Sequence, residues 1–422
     1  RDDIAEKIKE ARSHGDLSEN AEYDEAMNEQ AKMEAEIAKL EADLRNAKIL
    51  DEEELTTEAI HIGSKVTLYD MDFEEEVEYK ILGNGNDLDN WDFWNGLMDG
   101  QKEENFYSYL NYWSLYTDTR FAVTVVDAAG VPVCGAKVEL FVNESQKPSW
   151  TTVSDNNGSA ELWYNIGGSA DTDEVKTFTA AVNGVKLTEP LIPTYGSAEQ
   201  VSMNTLIAEQ VTTRNSTDIA FIVDATGSMG DEIDFLRDDL LNIIQRASSV
   251  TDKQLRTAAL FYRDEGDEYV TKIEDFNTNP EKTLNFIRKQ SAGGGGDYPE
   301  AVHTALEKAL QDLSWGEDNY TRLAFLLLDA PPHYQQDIIE SLQKSIKLYA
   351  ANGIKIIPIA ASGVDKNTEF ILRLMAIFTD GTYTFITNHS GVGGDHIVPT
   401  IGQYQVEQLN DLIVRLIEKY TE

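Results

Sequence analysis

The period of the apolar positions changes along the chain, and each change marks a different kind of element. Met33, Ile37, Leu40, Leu44 and Ala47 follow one another at spacings of 4, 3, 4 and 3, the seam of a coiled coil. Ile4, Ile8 and Ala11 carry the same stripe before a break at His14-Gly15-Asp16. The spacing predicts an α-helical antiparallel coiled coil over 1–60 with its tip near Gly15–Glu19; periodicity alone says no more than an amphipathic helical hairpin. Over 61–83 the period becomes two, in Val66/Leu68 and Val77/Tyr79/Ile81 around the acidic run Asp70–Glu76, which predicts a β-hairpin. Residues 84–120 are first polar and Gly/Asn-rich, then loaded with rings from Trp91 to Tyr116. They read as an aromatic-rich linker whose rings bury against neighbouring domains, with carbohydrate stacking as the alternative. Short alternating runs punctuated by Asn-Gly and Ala-Gly turns predict a small β-sandwich over 121–195. From 215 to 422, near-continuous apolar runs such as Asp218–Ala225 and Arg322–Ala330 alternate with helical stretches, one carrying Ile233, Leu236, Leu240 and Ile244. That alternation predicts a mostly parallel, doubly wound α/β sheet.

Composition narrows the function classes. The 422 residues hold 35 basic and 75 acidic side chains, a formal charge of −40. Such a balance argues against direct nucleic-acid binding through phosphates and against an anionic membrane surface, and it favours cations. Hydrophobic residues make up 41 %, enough for real cores in two to four domains of ~100–200 residues each. Cys134 is the single cysteine, so neither an internal disulfide nor a cysteine-based zinc site can form. No run of roughly 18 apolar residues suggests a membrane span. Arg1 opens on acidic helical sequence without a signal-peptide pattern, which leaves the compartment and the true N-terminus open.

In a doubly wound sheet, ligands bind beyond the carboxyl ends of the strands. Three such places carry oxygen ligands: Asp224-Ala-Thr-Gly-Ser228, the glycine run Gly293–Gly296 leading into Asp297-Tyr-Pro-Glu300, and Asp329-Ala-Pro-Pro-His333. Hard oxygens without thiolate suit Mg²⁺ first, with Mn²⁺ or Ca²⁺ as alternatives. The bland readings are that Asp224 caps the next helix and that the glycine run is a plain loop. Arg263, Asp264 and Asp267 read as a local salt-bridged turn. His333 and His396 lack a Ser or Cys nucleophile motif, and the glycine run lacks the Lys-Ser/Thr of a P-loop.

With these motifs in this order, residues 215–422 resemble a von Willebrand factor A (vWA) domain, a Rossmann-like fold. The resemblance implies a metal-ion-dependent adhesion site (MIDAS) in which Asp224, Thr226 and Ser228 supply the first loop and Asp329 the third. Asp297 stands where the family commonly has Thr; a third carboxylate would hold the metal more tightly and weaken capture of an acidic partner. The implied function is non-enzymatic protein binding or cell adhesion through the metal face, or a purely structural metal. Residues 121–195, with Gly-x-Pro and Ser-Asp-x-x-Gly-x-Ala, resemble Ig-like, carboxypeptidase-regulatory-like modules of bacterial surface proteins and imply a spacer.

A second resemblance covers 1–83. ARSHGDLSENAEYDEAMNEQ and HIGSKVTLYDMDFEEEVEYKILG are similar to bacterial Gre-type (GreA) transcript cleavage factors. This implies a transcription elongation factor whose coiled coil enters RNA polymerase, with Asp16 and Glu19 at the tip helping to hold a catalytic Mg²⁺ for cleavage of the nascent transcript. The first helix is short, however, and the family's C-terminal domain stops near Gly83. These departures place a junction between unrelated sequences near residues 83–90. The vWA and Ig-like part suggests a cell-surface or secreted protein; the Gre-type part suggests the cytoplasm. The metal-dependent binding module is the preferred reading, the elongation factor the alternative.

Overall fold

The computed structural model describes residues 66–70, 75–79, 82–85, 87–102, 105–167, 176–195, 204–209, 213–296, 298–361, 363–386, 405–407 and 409–422. Contacts divide the chain into two units, Arg1–Val66 and Thr67–Glu422. The coiled coil expected over 1–60, with Asp16 and Glu19, lies outside the described residues, as do Asp297 and His396. In the hairpin region, β1 (Val66–Asp70) and β2 (Glu75–Tyr79) form a two-stranded sheet.

The stretch read from sequence as a linker contributes β3 (Leu82–Gly85), α1 (Trp91–Leu97) and α2 (Tyr107–Trp113). Seven strands then form two small sheets: β4 (Arg120–Val126), β5 (Lys137–Val142), β6 (Trp150–Val153), β7 (Ser159–Trp163), β8 (Phe178–Val182), β9 (Val185–Pro190) and β10 (Asn204–Ile207). Their orders are β10-β4-β7 and β6-β5-β8-β9. Alternation sends Phe121, Val123 and Val125 of β4 into the same core as Val138 and Leu140 of β5. The sheets are tied by the Phe121–Phe178 ring pair, centroids 4.9 Å apart, and by Trp150 Nε1 donating to the Glu161 carbonyl at 3.1 Å. Arg120 caps this layer with a buried bidentate pair to Glu161, at 2.8 and 2.7 Å.

From Ser216 onward strands and helices alternate: β11 (Ser216–Asp224), α3 (Gly230–Val250), β12 (Gln254–Tyr262), β13 (Thr271–Asn277), α4 (Pro280–Ile287), α5 (Val302–Asp312), β14 (Tyr320–Leu328), α6 (Gln336–Ala351), β15 (Ile354–Ala360), α7 (Lys366–Phe378), β16 (Tyr383–Phe385), β17 (Gln405–Glu407) and α8 (Leu409–Thr421). One eight-stranded sheet results, ordered β13-β12-β11-β14-β15-β16-β3-β17. The strands from β12 to β16 in that order run parallel. β13 is antiparallel at one edge, and β3 pairs antiparallel with both β16 and β17. All nine residues of β11 are buried, as strands covered on both faces require. Ile219, Phe221 and Val223 join a core under α3, α4 and α8, while Ala220 and Ile222 join the core under α5, α6 and α7.

The second core does not stop at the helices. Eleven of the 13 residues of α7 are buried, because the aromatic stretch and the small sheets cover the face that would otherwise meet water. Trp94 and Phe106 lie against Phe370, with centroids 6.2 and 5.5 Å apart, and Trp113 Nε1 donates to Asn367 Oδ1 at 2.8 Å. Trp150 and Trp163 lie against Phe378 at 6.1 and 5.2 Å. Trp94, Phe106, Tyr109 and Trp113 of 84–120 are therefore packed against α7, while Tyr107 stays exposed. Arg373, 1 % exposed, pairs there with Asp87 and Glu369 and sits 5.5–5.9 Å from four ring centroids.

Candidate metal centre

From β11, the chain passes to β12 on one side and later to β14 on the other. The strand order therefore reverses beside β11, where doubly wound sheets leave a crevice at their carboxyl ends. Asp224 closes β11 and Asp329 follows the last residue of β14, so both acids stand at that crevice. Ala225 leaves the strand with its N–H held by the Tyr262 carbonyl at 2.8 Å. The Thr226 N–H and hydroxyl both donate to Asp224 Oδ1, at 2.8 and 2.7 Å. This fixes the carboxylate and uses one of its oxygens. Oδ2 is buried with no hydrogen-bond partner among the described residues. Ser228 is exposed on the next turn, where its hydroxyl acts on Asp329.

The glycine run is stitched to this loop. Arg263 Nε donates to the Ala225 carbonyl at 3.1 Å and its Nη2 to the Ser291 carbonyl at 2.8 Å. Gly293 N–H donates to Ala225 at 3.0 Å, and Gly295 N–H to Asp267 Oδ2 at 2.9 Å. Glycine is required at two of these positions. Gly294 has φ +81°, and a Cβ there would lie 2.4 Å from Asp267 Oδ2. At Gly295, φ is +72° and a Cβ would lie 2.9 Å from Glu300 Oε1 and 3.2 Å from Thr226 Cβ. Arg263, Asp264 and Asp267 thus form no mutual salt-bridged turn. Arg263 serves carbonyls, with Glu268 at 3.7 Å as its carboxylate, Asp267 holds the glycine run, and Asp264 Oδ1 lies 2.6 Å from His333 Nε2.

Glu300 is the acid that residue patterns did not single out. Its N–H donates to the Pro331 carbonyl at 2.9 Å, which ties the glycine loop to the Asp329 loop and turns the side chain toward Thr226 and Gly295. It is 4 % exposed, and its Oε2 is a second buried oxygen without a partner. The signal was present in Asp297-Tyr-Pro-Glu300, but nothing local says that Glu300 turns inward.

Burial and neighbouring acids raise these groups. Burial, then the charge of Asp329, pushes Asp224 up to about 7. Burial, then Asp224, Asp264, Asp329 and Asp267, pushes Glu300 up to about 9. Asp329 is also raised by burial, with the Ser228 hydroxyl pulling the other way. Tyr262 lies beside Asp224 and is raised well above the ordinary phenol range by burial and by that carboxylate. No cationic side chain counts among the main influences on Asp224, Glu300 or Asp329. Among the described residues no three His, Cys, Asp or Glu side chains close on one point as a metal cage. A cation here would therefore draw on the Thr226 and Ser228 hydroxyls as well. The donor set fits a hard cation: two orphaned buried carboxylate oxygens, a third acid and neighbouring hydroxyls.

Two stretches of the chain match known family models. Residues 218–391 match the model of the von Willebrand factor type A domain. Residues 1–49 match that of the transcription elongation factor N-terminal domain. The transcription elongation factor GreA of Acetivibrio thermocellus is 57 % identical over 84 residues, covering 20 % of this chain and 53 % of that protein. GreA of Thermoanaerobacter pseudethanolicus is also 57 % identical over 84 residues, 20 % of this chain and 54 % of the relative. The chain thus spans about half the length of the curated relatives it matches. Among solved structures, a von Willebrand factor type A protein from Catenulispora acidiphila aligns with TM-score 0.35 and 11 % identity, over 73 % of this chain and 52 % of that one. No helix among the described residues is long and apolar enough to cross a membrane.

Proposed function

We propose that the α/β domain holds a divalent cation, Mg²⁺ in the first instance, and binds a protein partner through that metal face without catalysing a reaction. Asp224, Glu300 and Asp329 supply the negative charge, not all three in direct contact with the cation, and Thr226 and Ser228 supply hydroxyls; Asp297, on the same loop as Glu300, is carried in the proposal as a further acid. One observation carries the reading. Asp224 Oδ2 and Glu300 Oε2 are buried in one cluster of mutually repelling acids, and among the described residues neither closes a hydrogen bond, the Tyr262 hydroxyl being the polar group beside Asp224. Two such groups cost several kcal/mol if left ionised and unmatched, on the order of 1–3 each or more, and a cation removes that cost. In this reading the two small sheets act as a spacer behind the binding domain, at the cell surface or outside the cell. Calorimetric titration with Mg²⁺, Mn²⁺ and Ca²⁺ tests it. Wild type gives binding heat, Asp224→Asn and Glu300→Gln lose it, and no heat with any of the three cations defeats the reading. If Asp297→Asn abolishes binding while Glu300→Gln retains it, the two acids exchange roles.

A second reading rests on a separate observation, the 57 % identity to GreA over 84 residues. We infer that this segment binds RNA polymerase, with Asp16 and Glu19 as the acids that support cleavage of the nascent transcript. Stalled elongation complexes supplied with the full chain test it: cleavage that Asp16→Asn abolishes supports the reading, and no cleavage or polymerase retention removes it.

A further inference from the structure

At the opposite end of the sheet from Asp224 and Asp329, the α/β body and the small sheets leave a cleft of about 620 Å³. Its size falls in the range of small-molecule sites, ~300–1,000 Å³, which often form between domains. Lys137 and Asn183 line it from the small sheets; Trp315, the two acids Glu317 and Asp318, Arg322 and Asn352 line it from the α/β body.

Arg322 is the group that calls for a ligand. Its side chain is 8 % exposed, with Nε donating to the Gly316 carbonyl at 2.7 Å and Nη1 to the Asn352 carbonyl. Nη2 has no acceptor at hydrogen-bond distance among the described residues. Its nearest carboxylate, Asp318, is 3.8 Å away and 85 % exposed. A second buried guanidinium, Arg214, acts on Arg322 from outside the cleft lining; it is 7 % exposed, with Nη2 donating to the Ser154 carbonyl at 3.2 Å and Nε without a partner among the described residues. Burial, and after it the charge of Arg214, holds Arg322 below the usual arginine range. Arg322 thus keeps only a loose ion pair to an exposed carboxylate, with the charge of Asp218 behind it, and an anion in the cleft can compete for its remaining N–H edge.

The wall around Arg322 is preformed. Trp315 Nε1 donates to the Ala309 carbonyl at 2.8 Å, Ser314 N–H to Asp275 Oδ1 at 2.8 Å, and Gly316 N–H to Asp218 Oδ2 at 2.6 Å. Asp218 is itself locked bidentately by Arg256, at 2.8 and 2.7 Å. Lys137 on the facing wall is half-exposed and bridges Glu139 at 2.8 Å, so its ammonium can turn to an incoming anion.

We propose that this cleft binds a small organic carboxylate, its anion between Arg322 and Lys137 and its apolar body along Trp315. The probes are benzoate and hexanoate, with benzamide as the uncharged isostere and inorganic phosphate as the competing oxyanion, all in chelator so that the metal centre stays out of the measurement. Benzoate or hexanoate raises the melting temperature in a concentration-dependent way and gives binding heat, whereas benzamide does neither. Lys137→Met weakens binding and Asp318→Asn, which removes a rival carboxylate at an exposed position, tightens it, each by about 3-fold. Equal binding of benzamide, phosphate bound in preference to both carboxylates, no binding of any carboxylate, or an Asp318→Asn variant that binds no better overturns the proposal.

Discussion

Replacing Asp224 by Asn removes one ionisable oxygen from a fully buried position while keeping the acceptor that the Thr226 N–H and hydroxyl use. The new amide faces the Tyr262 hydroxyl, which lies beside the present carboxylate. The wild-type carboxyl rises from 3.8 to about 7 on folding, through burial and then the Asp329 charge. It therefore holds its proton more tightly in the folded chain than in the unfolded one. Its contribution is whole below pH 4 and is lost as the pH climbs through 7. At ~1.4 kcal/mol per unit, the cation-free fold gives up about 4 kcal/mol at this residue by pH 8, against less than about 1 kcal/mol at pH 4. Asn gives up none of it. In urea melts with chelator, Asp224→Asn should gain on wild type steadily from pH 4 to pH 8, by a few kcal/mol. In millimolar Mg²⁺ at pH 8 the order should reverse, because only the wild type keeps its ligand. An advantage that does not grow with pH in chelator, or equal stabilisation of both proteins by Mg²⁺, would refute the electrostatic argument.

Cation affinity should itself rise between pH 5 and pH 8, since Asp224 at about 7 and Glu300 at about 9 must shed protons to bind; calorimetry at fixed ionic strength reads the slope and the protons released. Gly294→Ala forces a Cβ to within 2.4 Å of Asp267 Oδ2 at a backbone φ of +81°, so the loop shifts. Cation affinity should fall at least tenfold with little change in circular dichroism. Arg373→Met leaves Asp87 buried without its cation and Glu369 with Lys366 alone, and should cost about 3–5 kcal/mol in denaturant melts, the usual penalty for breaking a buried pair.

Local chemistry made much of this protein readable before any coordinates. The strands of the α/β sheet are nearly continuous apolar runs because both faces are covered, and the stripe of α3 is helical because it lies on one face only. Asp224, Thr226 and Ser228 are legible as a group because a strand end and the turn after it lie within five residues. Asp329 is legible for the same reason: it follows a buried strand directly. Other features depend on surfaces distant in the chain. Leu82–Gly85 carries no strand signal, yet it fills the place between β16 and β17, because backbone hydrogen bonding at an open sheet edge asks little of side-chain identity. Helix α7 is buried all round only because rings from 84–120 and the small sheets cover it. Glu300 turns toward Asp224 through a bond from its N–H to the Pro331 carbonyl, a pairing between loops that no spacing of residues along the chain contains. Period and turn chemistry act over a few bonds and are written in neighbouring residues. Convergence of acids on one crevice is settled by which strands lie side by side, and that follows from burying every apolar face at once.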